Sequence, residues 1–170
     1  MHFSGEITQK VDGKGRVSIP ADFRRVLDEG DPEAGDGKRA RVRIVHGDPR
    51  RKYLECYTMR AFDRIVERVG SMPEGSEDRE ILELFVISGS EVCEVDNDGR
   101  IVLIQRLRDK IGLAKDGGEA IFAGALQTFR IWKPEDLEAE KSAKLAALQA
   151  RVTGNANVLS LLPAAAGADR

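Results

Sequence analysis

The sequence is poor in the residues that build metal and redox centres. Its 170 residues include two cysteines, two histidines and one tryptophan. Cys56 and Cys93 stand far apart in the chain and form no C-x-x-C motif. Because a zinc site needs about four clustered ligands, we expect no metal site, and nothing in the sequence indicates a cofactor. The two cysteines are expected to be small apolar core residues.

Long apolar runs and catalytic signatures are absent as well. Runs such as Leu84–Ile87 are short, whereas a membrane span needs about 20 residues, so we expect no membrane segment. Residues 1–6 lack a basic segment followed by an apolar stretch, which predicts a cytoplasmic protein without a secretory signal. No convergent nucleophile and base set stands out, and no glycine loop is followed by Lys-Ser or Lys-Thr. The sequence therefore does not indicate an enzyme.

Charge of both signs is plentiful, and it is segregated along the chain. The net charge is −2, yet residues 38–68 hold ten basic and four acidic residues, and residues 69–98 hold one basic and nine acidic residues. A polyanion responds to charge within about 10 Å rather than to the total. The first 68 residues, apart from the acidic segment 28–37, could face DNA. From charge alone, solvated faces are the simpler interpretation.

An internal repeat is the most informative feature of the chain. A shift of 84 positions lays Ser4–Leu27 on Ser88–Ile111, with seven identities in 24 positions. Chance would give about one or two, so the pattern indicates a duplication. The identical pairs are Ser4/Ser88, Gly5/Gly89, Val11/Val95, Asp12/Asp96, Gly15/Gly99, Arg16/Arg100 and Arg24/Arg108.

Each half is predicted to form a strand, a turn, a second strand, a short helix and two further strands. The turns contain residues that tolerate positive φ. We expect three segments in the chain: a first repeat with a linking helix at 1–72, a second repeat with a C-terminal helix at 73–152, and a disordered tail at 153–170. The predicted turns are Asp12–Arg16 and Asp96–Arg100, and the strands after them are Val17–Ile19 and Ile101–Leu103.

Helices are predicted between and after the repeats. Phe62, Ile65, Val66 and Val69 have the spacing of an amphipathic helix. Ser76 is a candidate cap for a second helix, whose apolar side would hold Ile81, Leu82, Phe85 and Val86. Pro134 is expected to begin a C-terminal helix, and the segment 28–38 is expected to be an acidic, glycine-rich loop.

The strand-turn-strand-helix unit resembles a known DNA-binding element. The segment Val11–Pro20 followed by Phe23–Leu27 is similar to the SpoVT/AbrB type. The tandem D-x-x-x-R motifs, Asp12 to Arg16 and Asp96 to Arg100, resemble those of the MraZ family, regulators of the bacterial cell-division and cell-wall gene cluster. Phe3–Glu6 and Phe129–Trp132 also resemble that family, and the resemblance covers about residues 3–150.

The resemblance implies a fold and a function. The fold would be α+β, a pseudo-dimeric double-split β-barrel built from two AbrB-like repeats with flanking helices. The protein would form a ring-shaped homo-oligomer and bind double-stranded DNA at repeats in the promoter of its own gene cluster, in association with the nucleoid. The sequence departs from the family where Ser4 replaces a basic residue and where Ile104 replaces the proline seen at Pro20.

The two turns differ in charge. Lys10 aligns with Glu94, and Lys14 aligns with Asp98. We therefore expect Lys10, Lys14 and Arg16 to contact DNA, while the second half supplies the barrel partner and subunit contacts. Salt bridges are expected within both turns, Asp12 to Arg16 and Asp96 to Arg100. An exposed pair of this kind contributes only about 0–1 kcal/mol, and for Arg100 such a structural role is the expected one.

Two other interpretations remain open from the sequence. One is an AbrB-like or antitoxin-like DNA binder that pairs with a protein partner. The other is a ring-forming scaffold whose acidic surface around Glu91–Asp98 binds basic proteins. Two fused copies in one chain favour the MraZ-like regulator.

Overall fold

A computed structural model gives the fold and describes residues 1–164. The chain separates into two compact units, Met1–Pro134 and Glu135–Arg170. Both repeats lie in the first unit, apart from the C-terminal helix that the sequence assigns to the second. Residues 165–170 of the predicted tail lie outside the described part of the chain.

The first unit contains both strands and helices. The strands are β1 (Glu6–Val11), β2 (Arg16–Ser18), β3 (Arg41–Val45), β4 (Tyr53–Thr58), β5 (Ser90–Glu94), β6 (Arg100–Val102), β7 (Gly118–Ala125) and β8 (Thr128–Trp132). The helices are α1 (Ala21–Glu29), α2 (Met59–Gly70), α3 (Glu77–Leu82) and α4 (Gln105–Lys110), and a π-helical segment, Glu83–Ile87, follows α3.

The strands form an antiparallel six-stranded sheet in the order β1-β7-β8-β4-β3-β5 and a two-stranded sheet of β2 and β6. The larger sheet mixes the halves, because β1 pairs with β7 and β5 pairs with β3. The strands β1 to β4 of the first half correspond to β5 to β8 of the second. Exchanging each strand for its counterpart gives the same strand order, read from the opposite edge of the sheet. The antiparallel sheet and its separate helices confirm the predicted α+β class.

The core lies between the sheet and the helices that follow the turns. Phe23 of α1 meets Phe3 at a ring separation of 5.4 Å and Phe129 of β8 at 5.1 Å. Cys56 and Cys93 are both buried and free, as predicted. Burial raises the pKa of the Cys93 thiol to about 11, so both cysteines pack as apolar side chains.

The helices begin close to the predicted positions, but their buried faces differ. Phe62 and Val69 of α2 are buried, whereas Val66 is 42% exposed, because Met59 and Ala61 complete the buried face. The Ser76 hydroxyl does not cap α3 and instead donates to the carbonyl oxygen of Pro73 at 2.8 Å. Ser76 occupies the N-cap position of α3, as predicted, but its side chain makes no capping hydrogen bond because it bonds back into the preceding turn.

The segment 28–38 also differs from the predicted loop. Its first two residues belong to α1, and Asp31 is buried rather than solvated. The Asp31 carboxylate accepts hydrogen bonds from Nε and Nη2 of Arg41, at 2.9 and 2.8 Å. The side-chain hydrogen bond from Arg41 is the main reason that the pKa of Asp31 falls to about 2. This ion pair ties the loop to the start of β3.

The second unit contains most of helix α5 (Pro134–Arg151), which starts at the predicted proline. Its exposed surface carries the spaced ion pairs Glu138 to Lys141 and Glu140 to Lys144, at 3.9 and 3.8 Å. After α5, the segment Val158–Leu161 forms one short 3-10 helix.

Candidate nucleic-acid interface

The turn between β1 and β2 is built around the Asp12 carboxylate. Its Oδ1 atom accepts the backbone N–H groups of Lys14 and Arg16, each at 2.9 Å. Its Oδ2 atom accepts Nε of Arg16 at 2.6 Å. The backbone N–H of Arg16, followed by its guanidinium, lowers the pKa of Asp12, so the carboxylate stays charged and holds the turn.

The turn between β5 and β6 repeats this geometry. Oδ1 of Asp96 accepts the backbone N–H groups of Asp98 and Arg100, each at 2.9 Å, and Oδ2 accepts Nε of Arg100 at 3.2 Å. The backbone N–H of Arg100 is the first cause of the lowered pKa of Asp96. The structure therefore contains both ion pairs of the D-x-x-x-R motifs.

The two arginines differ in what their outer nitrogens contact. Nη2 of Arg100 is bound by the Asp98 carboxylate at 3.0 Å. Within residues 1–164, the guanidinium of Arg16 bonds to Asp12 alone, through Nε. Its two outer amino groups remain available to an external acceptor, and the side chain is 41% exposed. Because Lys14 stands where the second turn has Asp98, the first turn has no acid to hold these groups.

Both arginines point to the same side of the two-stranded sheet. Arg16 pairs with Val102, and Ser18 pairs with Arg100. Residues that alternate along a strand share a face, so these four side chains lie together on one face, and Val17 lies on the other. Val17 is buried and the opposite face is open. Any surface that approaches one turn along this face therefore passes close to the other.

Backbone hydrogen bonds connect each turn to the other half. The N–H of Leu103 donates to the carbonyl oxygen of Gly15 at 2.8 Å, and the N–H of Ile19 donates to Gly99 at 2.9 Å. Gly15 has a φ of +82°, and a Cβ there would overlap the carbonyl oxygen of Leu103. Glycine is required here both for its conformation and for this close approach.

Two further arginines reach across in the same reciprocal way. Arg108 of α4 donates Nη1 to the carbonyl oxygen of Gly13 at 3.3 Å, which adds a cation to the first turn. The guanidinium of Arg24 from α1 packs against Gly99 in the second turn. Sequence reasoning missed both residues as site residues, although their identity at equivalent positions of the repeat was the available signal.

The predicted lysines lie at different depths of the first turn. Lys14 is exposed at its tip. Lys10 is exposed on β1, where it pairs in register with Glu119 of β7. The backbone of Asp116 also packs beside Gly13. The pairing of β1 with β7 therefore places Glu119 opposite Lys10 and the backbone of Asp116 beside the first turn, although both residues lie far away in the sequence.

Bases similarly reach the second turn. Arg39 donates Nε to Asn97 at 2.9 Å and lies 3.8 Å from Glu94. Arg106 lies 2.9 Å from Glu91. The charge contrast between the turns is consequently smaller in the fold than in the sequence, and it is concentrated at Lys14 and Asp98.

The described part of the chain contains no group of three or more His, Cys, Asp or Glu side chains suited to a metal ion. No helix in residues 1–164 is both long enough and apolar enough to cross a membrane.

Comparison with known proteins gives one family for both halves of the chain. The family model described as "MraZ protein, putative antitoxin-like" matches residues 2–83 and again 86–155. The Transcriptional regulator MraZ of Ruegeria sp. (strain TM1040) is 45% identical over 166 residues, which cover 98% of each chain. The Transcriptional regulator MraZ of Cereibacter sphaeroides (strain ATCC 17025 / ATH 2.4.3) is 45% identical over 164 residues, 94% of this chain and 95% of its own.

A more distant relative, the Transcriptional regulator MraZ of Roseiflexus sp. (strain RS-1), is 35% identical over 132 residues, 78% of this chain and 81% of its own. These relatives are named as regulators rather than as enzymes, in agreement with the expectation for this chain. Since the family model matches both repeats and the relatives align over nearly the whole length, this chain belongs to the MraZ family.

Proposed function

We propose that this protein is a transcriptional regulator that binds double-stranded DNA through its first turn, with Lys10, Lys14 and Arg16 as the contacting residues. The observation that carries the proposal is the difference between the arginines. Asp98 holds an outer nitrogen of Arg100, whereas the outer nitrogens of Arg16 are open, in a turn that has Lys14 in place of Asp98. A guanidinium with both amino groups open can bond O6 and N7 of a guanine or two phosphate oxygens.

The lysines have a separate role in this proposal. An ammonium group is a point charge that suits phosphate and carries little sequence information. Lys14 is exposed at the tip of the turn, which supports a phosphate contact. Lys10, opposite Glu119, contributes less because the facing carboxylate offsets its charge. Arg108 keeps the turn in position from the second half.

The DNA target proposed here is the promoter of the protein's own cell-division and cell-wall gene cluster, and the protein would act in the cytoplasm at the nucleoid. The relatives are named transcriptional regulators, which supports a role in transcription. Footprinting on the DNA upstream of the protein's own gene tests it. Protection of spaced repeats, absent on a scrambled fragment of equal length, is the expected result, and equal affinity for both fragments would contradict sequence-specific recognition.

A pseudo-dimeric double-split barrel is the arrangement we propose for the two repeats. The symmetric strand order and the reciprocal bonds at Gly15 and Gly99 support it. We further propose a homo-oligomeric ring, in which several first turns bind repeated DNA sites together and gain effective concentration.

A comparison of the halves supports subunit contacts through the second half. On β5, Val92 is 46% exposed, whereas the equivalent residue of the first half is Thr8. An exposed apolar side chain where the other half has a polar one indicates a surface that contacts protein rather than water. Light scattering should give a mass larger than a dimer, and a mass of 18.7 kDa at micromolar concentration would contradict the ring. An assembled ring without DNA affinity would favour a scaffold.

A further inference from the structure

A cleft of about 310 Å³ lies away from the two turns, between the segment after β3, the strands β4 and β8, and the π-helical segment. Lys110, Arg51 and Arg130 line it, together with an apolar wall that includes Val45 and Phe85. Its volume is at the lower end of the range found for small-ligand sites. None of these residues belongs to the proposed DNA contact.

Lys110 is the unusual residue of this cleft. The repeat aligns it with Val26, which is a core residue of the first half. The second half therefore has an ammonium group at a position that the same fold fills with an apolar side chain. Lys110 is half-buried, and loss of hydration lowers its pKa. A half-buried charge at this position destabilises the free protein, so its presence points to a role in binding an anion.

The residues that line the cleft include three basic side chains, Lys110, Arg51 and Arg130, and two acidic ones, Asp48 and Glu55. Within residues 1–164, Lys110 forms no ion pair, and its Nζ donates to the backbone carbonyl oxygen of Asp48. Arg51 likewise forms no ion pair with any described carboxylate.

The carboxylates near these two cations are already engaged. That of Asp48 is bound by Arg50, at 3.0 and 2.8 Å. That of Glu55 lies 3.6 Å from Arg130. Asp48 attracts both Lys110 and Arg51 electrostatically, but its carboxylate bonds to Arg50, so neither of these two cations has an ion pair of its own among the described residues.

The walls of the cleft are held by close backbone packing. A Cβ at Gly47 would overlap the carbonyl oxygen of Phe85, and the backbones of Gly47 and Gly89 are in direct contact. Phe85 belongs to the π-helical segment, a rare conformation that is frequent at functional sites. Phe85 is 39% exposed and lines the same space as the cations.

We propose that this cleft binds a small organic anion, with a phosphate or carboxylate group between Lys110 and Arg51 and an apolar body against Phe85. Charge-assisted hydrogen bonds to an ammonium and a guanidinium supply the recognition of the anion. The half-buried position of Lys110 favours a small ligand over the convex backbone of duplex DNA. The proposal goes beyond DNA binding and does not depend on it.

The test uses the full-length chain in its native assembly, with titration calorimetry and thermal unfolding. Phenyl phosphate should bind saturably and more tightly than inorganic phosphate, and phenol should not bind. Lys110→Met should weaken phenyl phosphate binding about tenfold or more. The same variant should unfold at a higher temperature than the natural protein without ligand, because an apolar side chain replaces a partly desolvated ammonium group, as in the first half.

Lys115→Met is the matched control, since Lys115 is exposed and lies outside the cleft, and it should change neither property. Arg51→Gln provides a second variant, with the same loss of binding expected. Saturable binding that Lys110→Met leaves unchanged would overturn the proposal, as would no binding at millimolar concentration. A changed oligomer mass in Lys110→Met would also overturn it, because an acidic side chain of a second copy would then occupy the cleft. Loss of promoter affinity in Lys110→Met, reproduced by phosphate competition, would assign the cleft to DNA instead.

Discussion

Arg108 in the second half donates Nη1 to the carbonyl oxygen of Gly13 in the first half, over 3.3 Å. Arg24 makes the reciprocal approach to Gly99. Each D-x-x-x-R turn is therefore stabilised by its own aspartate and by an arginine from the opposite repeat. The conformation of the proposed DNA-contacting turn consequently depends on both halves of the chain.

Alanine substitutions at the two turn glycines should have unequal costs. Both glycines have positive φ, +82° at Gly15 and +74° at Gly99, which costs a residue with a Cβ about 1–2 kcal/mol. The added Cβ at Gly15 would also meet the backbone oxygen of Leu103, whereas at Gly99 it meets the movable end of Arg24. Gly15→Ala should therefore lower the free energy of unfolding more than Gly99→Ala, as measured by urea denaturation. Equal losses would show that the cross-half contact at Gly15 is not rigid.

The ion pair between the buried Asp31 and the half-buried Arg41 should make stability depend on pH in acid. The pKa of Asp31 is about 2, against an ordinary value of 3.8. A lowered acid pKa stabilises the folded state above the ordinary value, and this contribution is lost as the pH falls from 3.8 through about 2. Asp31→Asn should cost about 2 kcal/mol near neutral pH, with a difference from the natural protein that shrinks over this window.

Asp36→Asn is the control for this prediction. Asp36 is exposed in the same loop and has a φ of +50°, which asparagine tolerates well. Its effect on the free energy of unfolding should stay within about 0.5 kcal/mol at every pH. A constant difference between Asp31→Asn and the natural protein across the acid range would mean that Asp31 titrates normally in the folded state.

The turns could be predicted from the sequence because their interactions are local. Aspartate, glycine and arginine at fixed spacing determine which backbone groups the carboxylate accepts, and the duplication shows the pattern twice. The buried position of Asp31 could not be predicted in this way. Its partner, Arg41, begins the next strand, and a run of acids with glycines has the composition of a solvated loop.

The acidic residue opposite Lys10 could not be predicted from the sequence for a different reason. Glu119 comes to Lys10 because β1 pairs with a strand of the second repeat. A pairing of β1 within its own repeat would agree equally well with the same alternation of side chains. The alignment of Arg24 with Arg108 showed that the arginine is repeated, but not that each one crosses to the opposite turn.

DNA affinity should fall steeply as the salt concentration rises. Each phosphate neutralised by a cation contributes about −0.9 to the slope of log K against log salt. Lys14→Ala should weaken binding to all duplexes and reduce the slope by about one for each engaged subunit. Fluorescence anisotropy at a series of salt concentrations measures both effects. Arg64→Ala on α2 is the control and should leave the slope unchanged, while a flat response of the natural protein would contradict a basic contact surface.

The sharpest comparison replaces each motif arginine by alanine. Both variants remove the motif ion pair from equivalent turns, Arg16 from Asp12 and Arg100 from Asp96. Arg100→Ala also removes the bond to Asp98, so it should cost the turn at least as much stability as Arg16→Ala. Arg16→Ala should in addition lose a DNA contact of about 1–3 kcal/mol per subunit if it reads a base. If several subunits of the proposed ring engage together, the loss should compound in a promoter-binding titration.

Assembly and folding must match in the two variants before their affinities are compared, which light scattering and thermal unfolding establish. Arg100→Ala should keep promoter affinity, and Asp98→Lys should keep it as well, because the second turn is not expected to face DNA. Strong loss in Arg100→Ala with retained binding in Arg16→Ala would reverse the assignment. Equal loss in both would mean that DNA lies along the whole face shared by Arg16 and Arg100. The difference between Lys14 and Asp98 would then tune affinity without selecting one turn.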